Sequence, residues 1–133
     1  MRTTRSRRIV AGATALVVLG AVLTQERLTP TTFHHPRSAA ALTFMAILAV
    51  LVLGFVPRLP SGGAALGAGI AAGGALAVLV SGVVSQEGVP DPLVSGGYAF
   101  NLGDVACVLG DAMFLAAALA FAWHNRKNLR QTI

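Results

Sequence analysis

Four long apolar stretches separated by short polar segments organise this chain of 133 residues. The first runs from Ile9 to about Leu28, behind a head that carries Arg2, Arg5, Arg7 and Arg8. The others cover 38–56, 64–84 and 101–123. Each is close to the roughly 20 residues an α-helix needs to cross a bilayer. The pattern predicts an all-α membrane protein, a bundle of four transmembrane helices forming one integral membrane domain over 1–133. The basic head and first apolar run share the layout of a signal peptide, and Arg7–Arg8 faintly that of a twin-arginine signal. No Ala-x-Ala site follows the run, which continues as GAVLTQERL, so an uncleaved first span is expected.

The connectors read as turns. TPTTFHHPR, bounded by Pro30 and Pro36, joins the first two spans, and Pro57-Arg58-Leu59-Pro60-Ser61-Gly62-Gly63 joins the next two. The segment from Ser85 to Ala99 carries Gln86, Glu87, Pro90, Asp91 and Pro92, and reads as a loop. In the third run Gly63, Gly67 and Ala71 are four apart, as are Gly69 and Gly73. Small residues at this spacing let helix backbones approach closely in lipid. Packing is their ordinary role, and Gly63, Gly67, Gly69 and Gly73 also offer a face for a partner helix.

Composition agrees with a membrane home. Hydrophobic residues make up 55% of the chain, charged ones only 11%, and mean hydropathy is +0.72. A net charge of +5 would suit nucleic acid if the cations lay on one surface. They cluster instead at the ends of the apolar runs, and aromatics are only 6%, so no nucleic acid partner is expected. The single cysteine, Cys107, rules out an intramolecular disulfide and a cysteine metal site. His34 and His35 are adjacent, with no ligand cluster in view, and read as solvated interfacial residues. Neither metal nor cofactor is expected.

Charge also orients the bundle. With the N-terminus inside, Arg2, Arg5, Arg7, Arg8, Arg58, Arg126, Lys127 and Arg130 are cytoplasmic, eight of the ten basic residues. Only Arg27 and Arg37 fall outside. The five acids, Glu26, Glu87, Asp91, Asp104 and Asp111, all lie outside or in the outer half of the last span. Positive residues favour the cytoplasmic side, so both termini are expected there, in a multi-pass protein of the cell membrane. Trp123 lies where an interfacial aromatic belongs.

The chemistry then concentrates in PDPLVSGGYAFNLGDVACVLGD. Asp104 lies a turn inside an apolar run, where a charge is costly unless something requires it. Asp91 is restrained between Pro90 and Pro92. Two acids at one membrane face suit peptide hydrolysis without a nucleophilic side chain: one carboxylate activates water and one carboxylic acid protonates the leaving group. Asp104 is the expected base and Asp91 the acid, though a dyad titrates as a pair. Simpler roles stand beside these. Asn101 and Asp104 look like an N-cap and a first-turn acid, and Asp91 like a solvated turn residue. Asp111 lies seven residues beyond Asp104, on the same helical face and two turns deeper, and requires a partner or a wet cavity. Cys107 shares that face as a small buried hydrophobe.

AFNLGDVACVLGD resembles the last box of the lipoprotein signal peptidases (signal peptidase II), the membrane aspartic peptidases. Phe100, Asn101, Leu102, Asp104 and Gly110 match that box, with Gly103 where the family has alanine. Upstream, Gly73, Gly74, Ala75 and Leu76 match a Gly-Gly-Ala-Leu segment, and Asp91 falls on the aspartate of the following Val-Val-Asp. The resemblance implies Asp91 and Asp104 as catalytic residues, and Asn101, Gly103 and Asp111 are expected to support the site. It also implies an endopeptidase that removes the signal peptide from lipid-modified prolipoproteins at the extracytoplasmic face, with membrane lipid as surroundings and no cofactor. It is specific in the C-terminal half. Val78, Ser81 and Gly82 stand where the family carries Asn and Asp-Arg, so its polar bracing is expected to be missing. Glu26, Arg27, Arg37 and Glu87 are expected to be solvated, or else to contact lipid head groups or substrate. Two other classes remain open: a non-catalytic helical subunit that binds a partner or lipid, and a proton- or ion-handling protein using Asp104 and Asp111.

Overall fold

A computed structural model of the chain describes residues 3–130. Arg2 of the basic head and the last three residues of the tail lie outside that range. Every long helix begins with a side chain that accepts from its free N–H groups. Thr3 opens α1 (Thr4–Leu28), Ser38 opens α2 (Ala39–Phe55), Ser61 opens α3 (Gly62–Val84) and Asn101 opens α4 (Leu102–His124). Such caps satisfy donors the helix itself leaves unpaired, which matters most where no water can reach them. A 3-10 turn, Val56–Arg58, extends α2, and a short α5 (Arg126–Arg130) ends the described chain. All four long helices are long and apolar enough to cross a membrane. Their limits agree with the expected spans within two residues, except that α1 begins at Thr4 rather than near Ile9.

α3 is the central element. Inside the bundle, 61% of its apolar window is buried, against 17% for α1, 6% for α2 and 11% for α4. The side chains of this interior are small: Ala11, Ala15, Ala49, Ala64, Ala65, Ala68, Ala72 and Ala77 are almost wholly buried. The large apolar side chains point outward, among them Leu16, Val17, Phe44, Val50, Leu109 and Leu119. This is the arrangement lipid favours. Tails are as apolar as leucine, so helices are held by close backbone approach rather than by hiding large side chains.

The glycine spacing serves that approach within the chain. A Cβ added at Gly69 would lie 2.5 Å from the Ala11 carbonyl oxygen, and one at Gly73 2.6 Å from that of Ala15, both on α1. Added at Gly67 or Gly74, it would meet α4, 2.6 Å from the Phe114 amide and 2.5 Å from the Gly103 carbonyl oxygen. Gly67, Gly69 and Gly73 are therefore occupied by the chain's own α1 and α4, which corrects the expectation that they present a face to a partner. Gly63 is less tightly used, its nearest neighbour being Ala117 Cβ at 3.5 Å.

At one end of the bundle, Arg7 of α1 is buried and donates from Nε to the Pro57 carbonyl at 3.0 Å. Arg58 lies over the Phe55 ring, and Arg126 over Trp123. The opposite end carries four short strands, where only loops were expected. β1 (His34–His35) pairs antiparallel with β2 (Val89–Pro90), and β3 (Leu93–Ser95) with β4 (Tyr98–Phe100). The β3–β4 hairpin turns through Gly96 and Gly97 at φ +58° and +81°, left-handed values that two-residue hairpins favour and glycine adopts freely.

Candidate functional site

The site is assembled where the first connector crosses the β2–β3 segment and the start of α4. β1 pairing carries the connector alongside Val89 and Pro90, which sets His35 and Arg37 beside the two acids. Gly88 permits this crossing: with φ +105°, a Cβ there would lie 2.6 Å from the His35 carbonyl oxygen.

Asp91 is fully buried, not a solvated turn residue. Its backbone N–H donates to the Phe33 carbonyl at 2.9 Å, and its own carbonyl accepts from the Thr31 hydroxyl at 3.3 Å. Its side chain is bound through Oδ2 by His35 Nδ1 in a very short contact, whereas Oδ1 is buried without a hydrogen-bond partner. A buried carboxyl oxygen left unpaired costs free energy.

Asp104 occupies the first turn of α4, as expected, and is also ion-paired. Arg37 Nη2 lies 3.2 Å from Oδ1 and 3.5 Å from Oδ2. Both partners are about one-third exposed, so Asp104 opens toward solvent where Asp91 does not.

Asn101 ties together the segments that carry the two acids. It is fully buried, and its Oδ1 accepts from the Gly103 amide at 2.6 Å as the α4 cap. Its Nδ2 donates to the Pro90 carbonyl at 2.6 Å, one residue before Asp91, and to Glu26 Oε1 at 2.5 Å. Glu26 in turn accepts from the Ser81 hydroxyl through Oε2 at 2.5 Å. Polar bracing is thus present, supplied from α1 by Glu26 and from α3 by Ser81. Gly103 is needed for the same contact: a Cβ there would lie 2.9 Å from Asn101 Oδ1 and 3.0 Å from the Gly74 carbonyl oxygen.

Asp111 does not join this group. It lies on the wall of a separate apolar groove between α2, α3 and α4, and among the described residues it makes no hydrogen bond or ion pair. Cys107, half-buried, lines the same groove. Among the described residues no group of histidine, cysteine and acidic side chains is arranged to hold a metal. His34 is directed to Glu87 at 3.6 Å.

No family model, curated protein or solved structure matches this chain. The geometry must therefore carry the functional reading. Three residues read from the sequence as solvated or as lipid or substrate contacts, Glu26, His35 and Arg37, prove to hold the polar end together. The one available signal was their charge beside an apolar span.

Proposed function

We propose that the chain is an aspartic-type membrane endopeptidase, of the kind the lipoprotein signal peptidases represent, with both termini in the cytoplasm and the acids at the outer face of the cell membrane. The observation that supports this reading is the pairing of two acids by two residues of one connector: His35 on buried Asp91, and Arg37 on half-open Asp104. The two acids thereby occupy unlike environments, as an acid and a base of one reaction require.

In this reading Asp104, as the carboxylate its ion pair implies, takes a proton from water as that water attacks the scissile carbonyl. Asp91 shares a proton with His35 and delivers it to the departing amine, which breaks the C–N bond. Asn101 fixes the Pro90 peptide and the first turn of α4 together, and so sets the distance between the acids. The substrate would be a membrane-anchored peptide segment entering from the outer leaflet, with a lipid-modified prolipoprotein the class the resemblance names.

The same ion pairs favour one second reading. Arg37 and His35 already neutralise both acids from within the chain, as in a purely structural lock of a non-catalytic subunit. Expression in cells lacking their own lipoprotein signal peptidase separates the two. The peptidase reading expects prolipoprotein processing by the wild type and its loss, by about 10²-fold or more, in Asp91→Asn and in Asp104→Asn. Processing that persists in both variants, or none by a properly inserted wild type, overturns it.

A further inference from the structure

α4 places Asp111 nine residues beyond Leu102, about 14 Å along the helix axis at 1.5 Å per residue. In a hydrocarbon core about 30 Å thick that is close to the middle. Asp111, an exposed residue, lines an open groove of about 420 Å³ together with Phe44, Leu48 and Ala49 of α2, Ala72 and Ala75 of α3, and Leu115 of α4. It has no hydrogen-bond or ion-pair partner among the described residues, in surroundings where an acid is costly unless paired.

We infer that this groove is a docking site for a transmembrane helix of another protein, one that carries a lysine or arginine near mid-span and sets it against Asp111. Charge complementarity selects the occupant. A second copy of this chain has no basic residue in the middle of any span, its cations lying in the head, the connectors and the tail. A signal peptide offers an apolar core behind a charged head, so the peptidase substrate also lacks a cation at this depth. A lipid head group remains at the interface. The volume admits a few side chains rather than a whole helix, so the partner lies along the α2–α4 opening and inserts one face. This surface is independent of the Asp91–Asp104 site.

The test uses the full chain in phosphatidylcholine vesicles with synthetic Leu/Ala transmembrane peptides, each with a single central Lys, Leu or Glu. Association is read by energy transfer from Trp123, the only tryptophan, to an acceptor on the peptide. Occupancy of the groove is read by disulfide trapping between a peptide cysteine one turn from the central residue and Cys107, the only cysteine. The Lys peptide is expected to associate at least tenfold more tightly than the Leu peptide and to be trapped at Cys107. That preference should be lost in Asp111→Leu and kept in Asp111→Glu. Equal association of the Lys and Leu peptides, stronger association of the Glu peptide, or a Lys preference that survives in Asp111→Leu overturns the inference. Asp111→Leu removes a charge from the membrane, and so preserves insertion while it removes the site.

Discussion

α3 meets α4 and α2 in opposite ways. Along α4 the seam is closed by glycine on both sides: Gly74 against Gly103, and Gly67 with Ala71 against Gly110. Along α2 the contact is close at Gly82, where a Cβ would lie 2.8 Å from Leu42 Cδ2, and then opens into the groove beside Ala72 and Ala75. The closed seam ends beneath Asn101 and Asp104, so backbone packing of the two helices fixes the acid end. The open seam belongs to α2, the least buried span, and α2 follows directly from the connector that carries His35 and Arg37. Acids are held by the rigid half of the molecule, and their basic partners enter beside the loosely held half.

The largest expected effect comes from prising the closed seam apart. In Gly110→Val the new Cβ would fall on the backbone of Ala71 and lie 2.7 Å from the Gly67 carbonyl oxygen. Backbone on both sides cannot turn away as a side chain can, so the helices must separate. A loss of about 3 kcal/mol or more is expected in reversible unfolding in bicelles. A control distinguishes this from a general intolerance of glycine replacement: nothing lies within 4 Å of a Cβ at Gly12, which faces outward on α1. Gly12→Ala is expected to be neutral, or stabilising by up to about 1 kcal/mol. Similar losses in the two variants would mean the seam is not what holds α3 to α4.

Asn101→Ala tests whether the closed seam and the acid end are one unit. The change removes the α4 cap, worth about 1 kcal/mol, and leaves the Pro90 carbonyl without its donor from α4. Together these predict a loss of about 2 to 3 kcal/mol in the same unfolding measurement. Under the proposed peptidase reading, processing should fall as well, because Pro90 is no longer pinned beside α4. A variant of unchanged stability would mean that water replaces the amide fully.

How legible this was in the sequence differs between the same two regions. The spans, their glycine spacing and the Asn101–Asp104 helix start are local patterns, and they correspond closely to the structure. What periodicity cannot carry is which polar groups meet. His35 reaches Asp91 across 56 residues, Arg37 reaches Asp104 across 67, and Glu26 reaches Asn101 across 75. A charged residue beside a span looks the same whether it is solvated or clamps an acid. The hairpin was partly visible, since Gly96-Gly97 between Leu93-Val94-Ser95 and Tyr98-Ala99-Phe100 is a two-residue turn signal. The β1–β2 pair was not, because two residues are too few to show alternation. Matching Val78, Ser81 and Gly82 against a family's polar positions suggested an unbraced site; the Ser81 hydroxyl and Glu26 supply the brace from different side chains.

The smallest expected loss is at Gly82, a close point of the open seam. Its clash is with Leu42 Cδ2, the far end of a flexible side chain, and the next neighbour, Val89 Cγ2, is at an ordinary 3.4 Å. Leu42 is only half-buried, so it can change rotamer toward the lipid-facing side. Gly82→Ala should then cost less than about 1 kcal/mol, because a rotamer change is far cheaper than moving backbone, and alanine recovers helix propensity lost by glycine. The comparison with Gly110 is the informative part. The Cβ atom added at each position starts inside contact distance, against backbone at Gly110 and against a side-chain end at Gly82. If Gly82→Ala proves as damaging as Gly110→Val, α2 is held as firmly as α4, and the groove beside it is a fixed void rather than an opening a helix can enter.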